Sequence, residues 1–322
     1  MTRITTLTGA AAFALLAAVP AMGQTQLSIA TGGTGGVYFP LGGGLAELIN
    51  THLEGYAAVA EVTGASVENM GLVSRGDSDI AFALADTVYQ AYNGTGAFEG
   101  RALPELRTLA GVYPNAVQIV ALADAGVDSL DDLAGKRVSV GAPGSGTEVN
   151  AQTLLEANGI TYDDIDEQRL NFNETADALR DGDIDVGIWS VGPPTSSILN
   201  LAATREIVLI PLSTEEIANA QAAEPTFAPY TLTAGMYDGM DADVTTVGIP
   251  NALVVNADLD EEVVYQITRL IFERVDDLRA IHPAANDTTV EFTMASSPIP
   301  LHPGAIRYFE EIGAEIPDAL RP

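Results

Sequence analysis

The sequence contains no cysteine and only one lysine, Lys136, and its 14 Lys and Arg stand against 44 Asp and Glu in 322 residues. The missing cysteine excludes disulfides, thiolate nucleophiles and Cys-based zinc or iron-sulfur centres. Three histidines, His52, His282 and His302, leave little for a multi-imidazole metal site. A formal charge of −30 excludes nucleic acid as a partner, because a polyphosphate backbone requires a basic stripe. Aromatics are sparse at 6%, but 47% of the residues are hydrophobic, enough to bury a large core and to exclude general disorder. Beyond the first turns of the chain no run approaches the ~18 apolar residues of a membrane span.

The one long apolar run is at the beginning. Arg3 precedes Leu7 to Val19, the run breaks at Pro20, and Ala21-Met22-Gly23 supplies small residues at the positions a signal peptidase reads. Residues 1–23 therefore read as a secretory signal peptide, and the protein is expected to be exported as a soluble chain. The absence of cysteine at the cut argues against a lipid anchor there. The acid excess has two readings, ordinary acidic solubility or adaptation to a salty exterior, where added salt screens self-repulsion.

From Leu27 onward, short apolar runs alternate with helical patterns, the signature of an α/β fold made of βα units. Leu27 to Ala30 reads as a strand entering the glycine-rich turn Thr31-Gly-Gly-Thr-Gly-Gly36, and Val138 to Val140 as a strand entering Gly141-Ala-Pro-Gly-Ser-Gly146. Tyr56 to Val62, Ile80 to Leu84, Ile184 to Trp189 and Thr245 to Val255 read as further strands. Ala65 to Arg75, Thr147 to Asn158, Thr175 to Arg180 and the amphipathic stretch Glu261 to Leu278 read as helices. Arg75-Gly-Asp-Ser-Asp-Ile80 is echoed by Arg180-Asp-Gly-Asp-Ile-Asp185, each ending a helix and entering an apolar strand. Two similar lobes joined by short crossing strands, with a cleft between them, follow from this repeat.

The glycine-rich turns are the candidate chemistry. Each sets backbone N–H groups at a helix N-terminus, where the dipole is positive, and lets a ligand approach the main chain closely. Nucleotides are excluded by particular residues. Thr147-Glu148 stands where a phosphate loop needs Lys-Ser/Thr, and Tyr38 where a dinucleotide turn needs its third glycine. Ser145 lacks the flanking glycines of a nucleophile elbow and a placed histidine, so no enzyme is read. Asp181-Gly-Asp-Ile-Asp185 has Val186 and Gly192 where a calcium loop needs glycine and glutamate, so its acids read as a solvated helix end. Tyr38 either lines the cleft or caps its helix. Thr87 offers a hydroxyl at a strand's carboxyl end, or else Asp86 simply caps the helix there. Trp189, the only tryptophan, is read evenly as core or cleft, and Gly192-Pro193 as a cleft wall. His282-Pro and His302-Pro-Gly read as turns.

Thr31 to Gly42, Gly64-Ala-Ser-Val-Glu-Asn69, Asp131 to Glu148 and Leu301-His-Pro-Gly-Ala305 together resemble the TAXI receptors, the solute-binding components of one class of tripartite ATP-independent periplasmic (TRAP) transporters. The resemblance implies a two-lobe periplasmic binding protein fold of type II, with two inter-lobe crossings and a ligand cleft. The expected division is 24–115 for the first part of one lobe, 116–243 for the other lobe, and 244–322 for completion of the first. The resemblance further implies a periplasmic location, a small carboxylate ligand such as glutamate, glutamine or 2-oxoglutarate, and a TRAP membrane permease as partner, with no cofactor and no metal. Related TRAP receptors clamp the carboxylate with an arginine, but neither glycine turn here holds one. The carboxylate is therefore expected on the backbone amides of Gly144 to Thr147 and the hydroxyls of Ser145 and Thr147. Gly35, Gly36, Tyr38, Ser66, Asn69 and Thr87 are expected to complete the pocket from the other lobe, with Gly146, Trp189, Gly192 and Pro193 also at the site.

Overall fold

The computed structural model describes residues 24–322; the signal-peptide expectation lies outside the described residues. The first half-sheet is built by β1 (Thr25–Ala30), α1 (Tyr38–His52), β2 (Tyr56–Glu61), α2 (Ser66–Arg75), β3 (Ile80–Leu84) and α3 (Ala85–Asn93). β1 runs parallel to both β2 and β3. After β4 (Leu106–Leu122) the same plan recurs in β5 (Arg137–Ser139), α4 (Gly146–Ala157), β6 (Asp166–Gln168), α5 (Phe172–Asp181) and β7 (Val186–Val191). β5 likewise lies between β6 and β7, parallel to both. α6 (Ser196–Ala202), β8 (Ile207–Leu209), α7 (Thr214–Ala223) and β9 (Ala228–Leu232) follow. β10 (Val244–Asn256), α8 (Glu261–Glu273), α9 (Val275–Ile281), α10 (Val290–Ser296) and α11 (Pro303–Glu311) complete the chain.

The echo in the sequence is an echo in space. Gly76 and Gly182 end α2 and α5 in the left-handed region, at φ 71° and 78°, where a Cβ is disfavoured. Asp79 then accepts from the amide of Ser28 within β1, at 2.7 Å, and Asp185 from the amide of Arg137 at the head of β5, at 2.9 Å. In both repeats an aspartate just past the helix end ties the next strand to its central neighbour.

The halves are joined by long strands, not the short ones expected. The sheet order is β2-β1-β3-β10-β4-β7-β5-β6, with β8 on β4 and β9 on β10. β10 pairs β3 through Asn251 to Val255 and β9 through Val244 to Gly248, while β4 pairs β7 through Ala116 to Ala121. Both strands thus serve both halves. Pro114 faces Pro250 midway along their shared ladder, where neither residue has an N–H to give. The helix expected from Glu261 to Leu278 is broken at Arg274, whose φ and ψ are −117° and 23°. The break lets Leu278 and Ile281 of α9 pack on Gly44 of α1.

The candidate ligand cleft

The carboxyl ends of β1, β3, β5 and β7 converge on one cavity, as ligand sites do in open α/β sheets. One wall is Gly32, Gly33, Gly36, Val37, Tyr38, Thr63, Gly64, Ala65, Ser66 and Leu84. The facing wall is Ala142, Ser145, Gly146, Thr147, Asn171, Phe172, Ser190 and Val191, and Asn115 of β4 also lines it. No lining residue is charged. α1, α2, α4 and α5 each begin at a lining residue or next to one, so their positive dipole ends face the same space.

Which amides remain available is decided by the loops themselves. The Ser145 amide donates to the Ala142 carbonyl at 3.1 Å, and the Glu148 amide to the Ser145 hydroxyl oxygen at 3.1 Å. That leaves the amides of Gly146 and Thr147 without a partner among the described residues, together with those of Tyr38 and Ser66 on the opposite wall. The Thr147 hydroxyl, on a residue only 4% exposed, is also without a partner there. The cavity is rich in donors.

Several expected site residues sit elsewhere. Gly144 does not line the cavity: its carbonyl accepts from the Val67 and Glu68 amides at 3.1 and 3.2 Å, clasping the two walls together. Gly35 is in a second clasp, where its carbonyl accepts from the Ser196 hydroxyl at 3.1 Å, while Asn173 donates to the neighbouring Thr34 hydroxyl. Asn69 is a buried scaffold, donating to the Thr31 and Phe82 carbonyls and accepting from Thr63. Thr87 is fully buried and turns its hydroxyl toward Asp86. Trp189 is core, donating to Ser197 and stacked behind Phe172 with ring centroids 6.3 Å apart. Gly192 packs against Tyr113, Val37 and Ala284, and neither it nor Pro193, which precedes a cis peptide bond to Pro194, lines the cavity. Gly36, Tyr38, Ser66, Ser145, Gly146 and Thr147 do line it. Tyr38 contributes its ring and amide, since its hydroxyl is committed to Asn251 and its ring stacks on Phe82 at 5.2 Å.

Phe172, Asn171, Asn115 and Ser190 were not expected from the sequence. Asn171 and Glu174 form a capping box that starts α5 at Phe172, three residues before the helix read from periodicity, and that pattern was legible. Asn115 gave no signal, because Gly111 and Pro114 interrupt the strand pattern of β4. Behind the wall, Asp86 is buried and accepts from Asn150 at 2.6 Å, and Asn150 accepts from Ser190 at 2.7 Å. Burial pushes the Asp86 carboxyl up to about 7, against hydrogen bonds from Thr87 and Asn150 that act in the opposite direction. Ala65, which begins α2, is the only non-glycine residue with positive φ among the described residues, at φ 77° and ψ −146°. Such strain is held in place only where surrounding structure over-determines it. His282 and His302 cap helices, accepting from the amides of Ala284 and Gly304. Arg137 is bound to Asp185 at 2.7 Å.

Comparison with solved structures places the fold. The chain resembles PhnD1 from Prochlorococcus marinus MIT 9301 in complex with methylphosphonate, with TM-score 0.54, 11% identity, and 82% of this chain and 91% of that one covered. A protein from Bordetella bronchiseptica RB50 gives TM-score 0.51 at 17% identity over 92% and 91%. A putative L-cystine ABC transporter protein from Listeria monocytogenes gives TM-score 0.51 at 13% identity over 84% and 98%. The fold is the mixed α/β fold of periplasmic binding proteins. The sequence profile of the NMT1-like family matches residues 29–313, nearly the whole described chain, and the protein belongs to the NMT1-like family.

Proposed function

We propose that this protein is an exported solute receptor that binds a small carboxylate in the cleft and delivers it to a membrane permease, without transforming it. The observation that carries the reading is the ring of free amides at Tyr38, Ser66, Gly146 and Thr147, set at helix N-termini in a cavity with no charged side chain. Charge-assisted hydrogen bonds contribute ~1.5–3 kcal/mol each, so a few supply most of the ~8 kcal/mol of a micromolar complex. The resemblance to TAXI receptors favours a TRAP permease as the recipient, the periplasm as the location, and glutamate, glutamine or 2-oxoglutarate as first ligands to try. The same reading divides the chain at 24–115, 116–243 and 244–322, with β4 and β10 crossing between lobes. The acid excess fits a protein exposed to salt.

Trp189 provides the measurement. It is the only tryptophan and stacks on Phe172, which lines the cavity, so ligand entry should change its emission. Saturable, one-to-one quenching by a carboxylate that is recovered unchanged supports the receptor. Steady consumption of the ligand, or indifference to every small acid, overturns it.

A further inference from the structure

We infer that the cleft is suited to a monocarboxylate with an apolar body, not to an α-amino acid or a five-carbon dicarboxylate; this rests on the carboxylate reading above and narrows it. Donors and acceptors in the cavity are unequal. One end is rich in donors: the Gly146 and Thr147 amides and the unpartnered Thr147 hydroxyl. Three side-chain acceptors of the lining are already engaged. The Asn115 side-chain oxygen accepts from Asn251 at 2.7 Å, that of Asn171 from the Asn173 and Glu174 amides, and the Ser66 hydroxyl oxygen from the Leu84 amide at 3.1 Å.

An α-ammonium group would meet no carboxylate in this lining, and a buried cation without a counter-charge is strongly disfavoured. A second carboxylate would meet no Arg, Lys or His, only the Tyr38 and Ser66 amides of the opposite wall, and would stand against the charge of the first in the same buried space. Beyond the donor end, Val37, Leu84, Ala142, Phe172 and Val191 offer apolar surface suited to an alkyl chain.

The test is calorimetric titration of the purified protein with butyrate, glutamate, 2-oxoglutarate and the neutral isostere butyramide, repeated on Thr147→Val and Thr147→Ser. Butyrate should bind one per chain, at least ~tenfold tighter than either larger acid, and butyramide should not bind. Thr147→Val should weaken butyrate by about tenfold or more, and Thr147→Ser should restore it, because the hydroxyl is the group that matters. Glutamate or 2-oxoglutarate binding as tightly as butyrate overturns the monocarboxylate inference and leaves the receptor standing. Failure of every acid to bind removes the carboxylate reading itself. Butyrate affinity unchanged in Thr147→Val overturns the placement of the headgroup.

Discussion

Asp86, at the start of α3, accepts a hydrogen bond from Asn150 of α4 at 2.6 Å, joining helices from the two βα repeats through a fully buried pair. Asn150 in turn accepts from Ser190, which lines the cleft. A titratable group is thus one residue removed from the cavity wall, and its position has consequences for stability.

Burial raises the Asp86 carboxyl from 3.8 in the unfolded chain to about 7 in the folded one. Between those values the folded state binds more protons than the unfolded state, so this group's contribution to stability falls as pH rises from about 4 to 7, then levels off. Asp86→Asn keeps an acceptor for Asn150 and removes the charge. Thermal unfolding from pH 4 to 8 should show a flatter slope in the variant and a higher melting temperature than the parent at pH 8. A slope equal to the parent's would count against a buried, titrating Asp86.

The close approach of the two walls depends on Gly146. A Cβ there would stand 2.5 Å from Leu84 Cδ1 and 2.8 Å from Ser66 Oγ, across the cavity on the other wall. Gly146→Ala should therefore hold the walls apart while leaving each half-sheet folded. The expected outcome is at least a ~tenfold loss of ligand affinity, ~1.4 kcal/mol, and a larger radius of gyration in solution scattering. A compact variant with full affinity would contradict the close approach.

Ala65 occupies a backbone region that side chains avoid. Relief of ~1–3 kcal/mol of strain exceeds the ~0.4–1 kcal/mol that glycine's unfolded-state freedom costs. Ala65→Gly should accordingly raise the melting temperature by roughly 2–4 °C per kcal/mol gained. A fall in melting temperature would mean that the strain is absent in solution.

Net charge predicts a salt response. With 44 acids against 14 bases, self-repulsion opposes the compact state, and the Debye length shrinks from ~10 Å at 0.1 M to ~3 Å at 1 M. The melting temperature should rise as sodium chloride is increased over that range. A flat or falling curve would favour ordinary acidic solubility over adaptation to salt.

Much of the architecture could be read from the chain alone, because its determinants are local. Gly76 and Gly182 end helices through their own φ, and Asp79 and Asp185 follow at a fixed spacing. The glycine turns stand between a strand and a helix, so their role as helix N-termini was visible in the order of residues. The periodicity of α8 was visible too, but the break at Arg274 was not, because it answers to packing of α9 on Gly44, far away in sequence.

The site needed tertiary structure, since a group's availability depends on what its partners take. Gly144 and Thr147 belong to the same turn, yet the carbonyl of Gly144 is held by α2 from the opposite wall while the hydroxyl of Thr147 stays free. Tyr38 has its hydroxyl committed to Asn251, 213 residues later, so only its ring and amide face the cavity. Spacing along the chain determined where helix dipoles begin; pairing between distant residues decided which donors remain unspent, because a hydrogen bond saturates a group wherever in the sequence its partner lies.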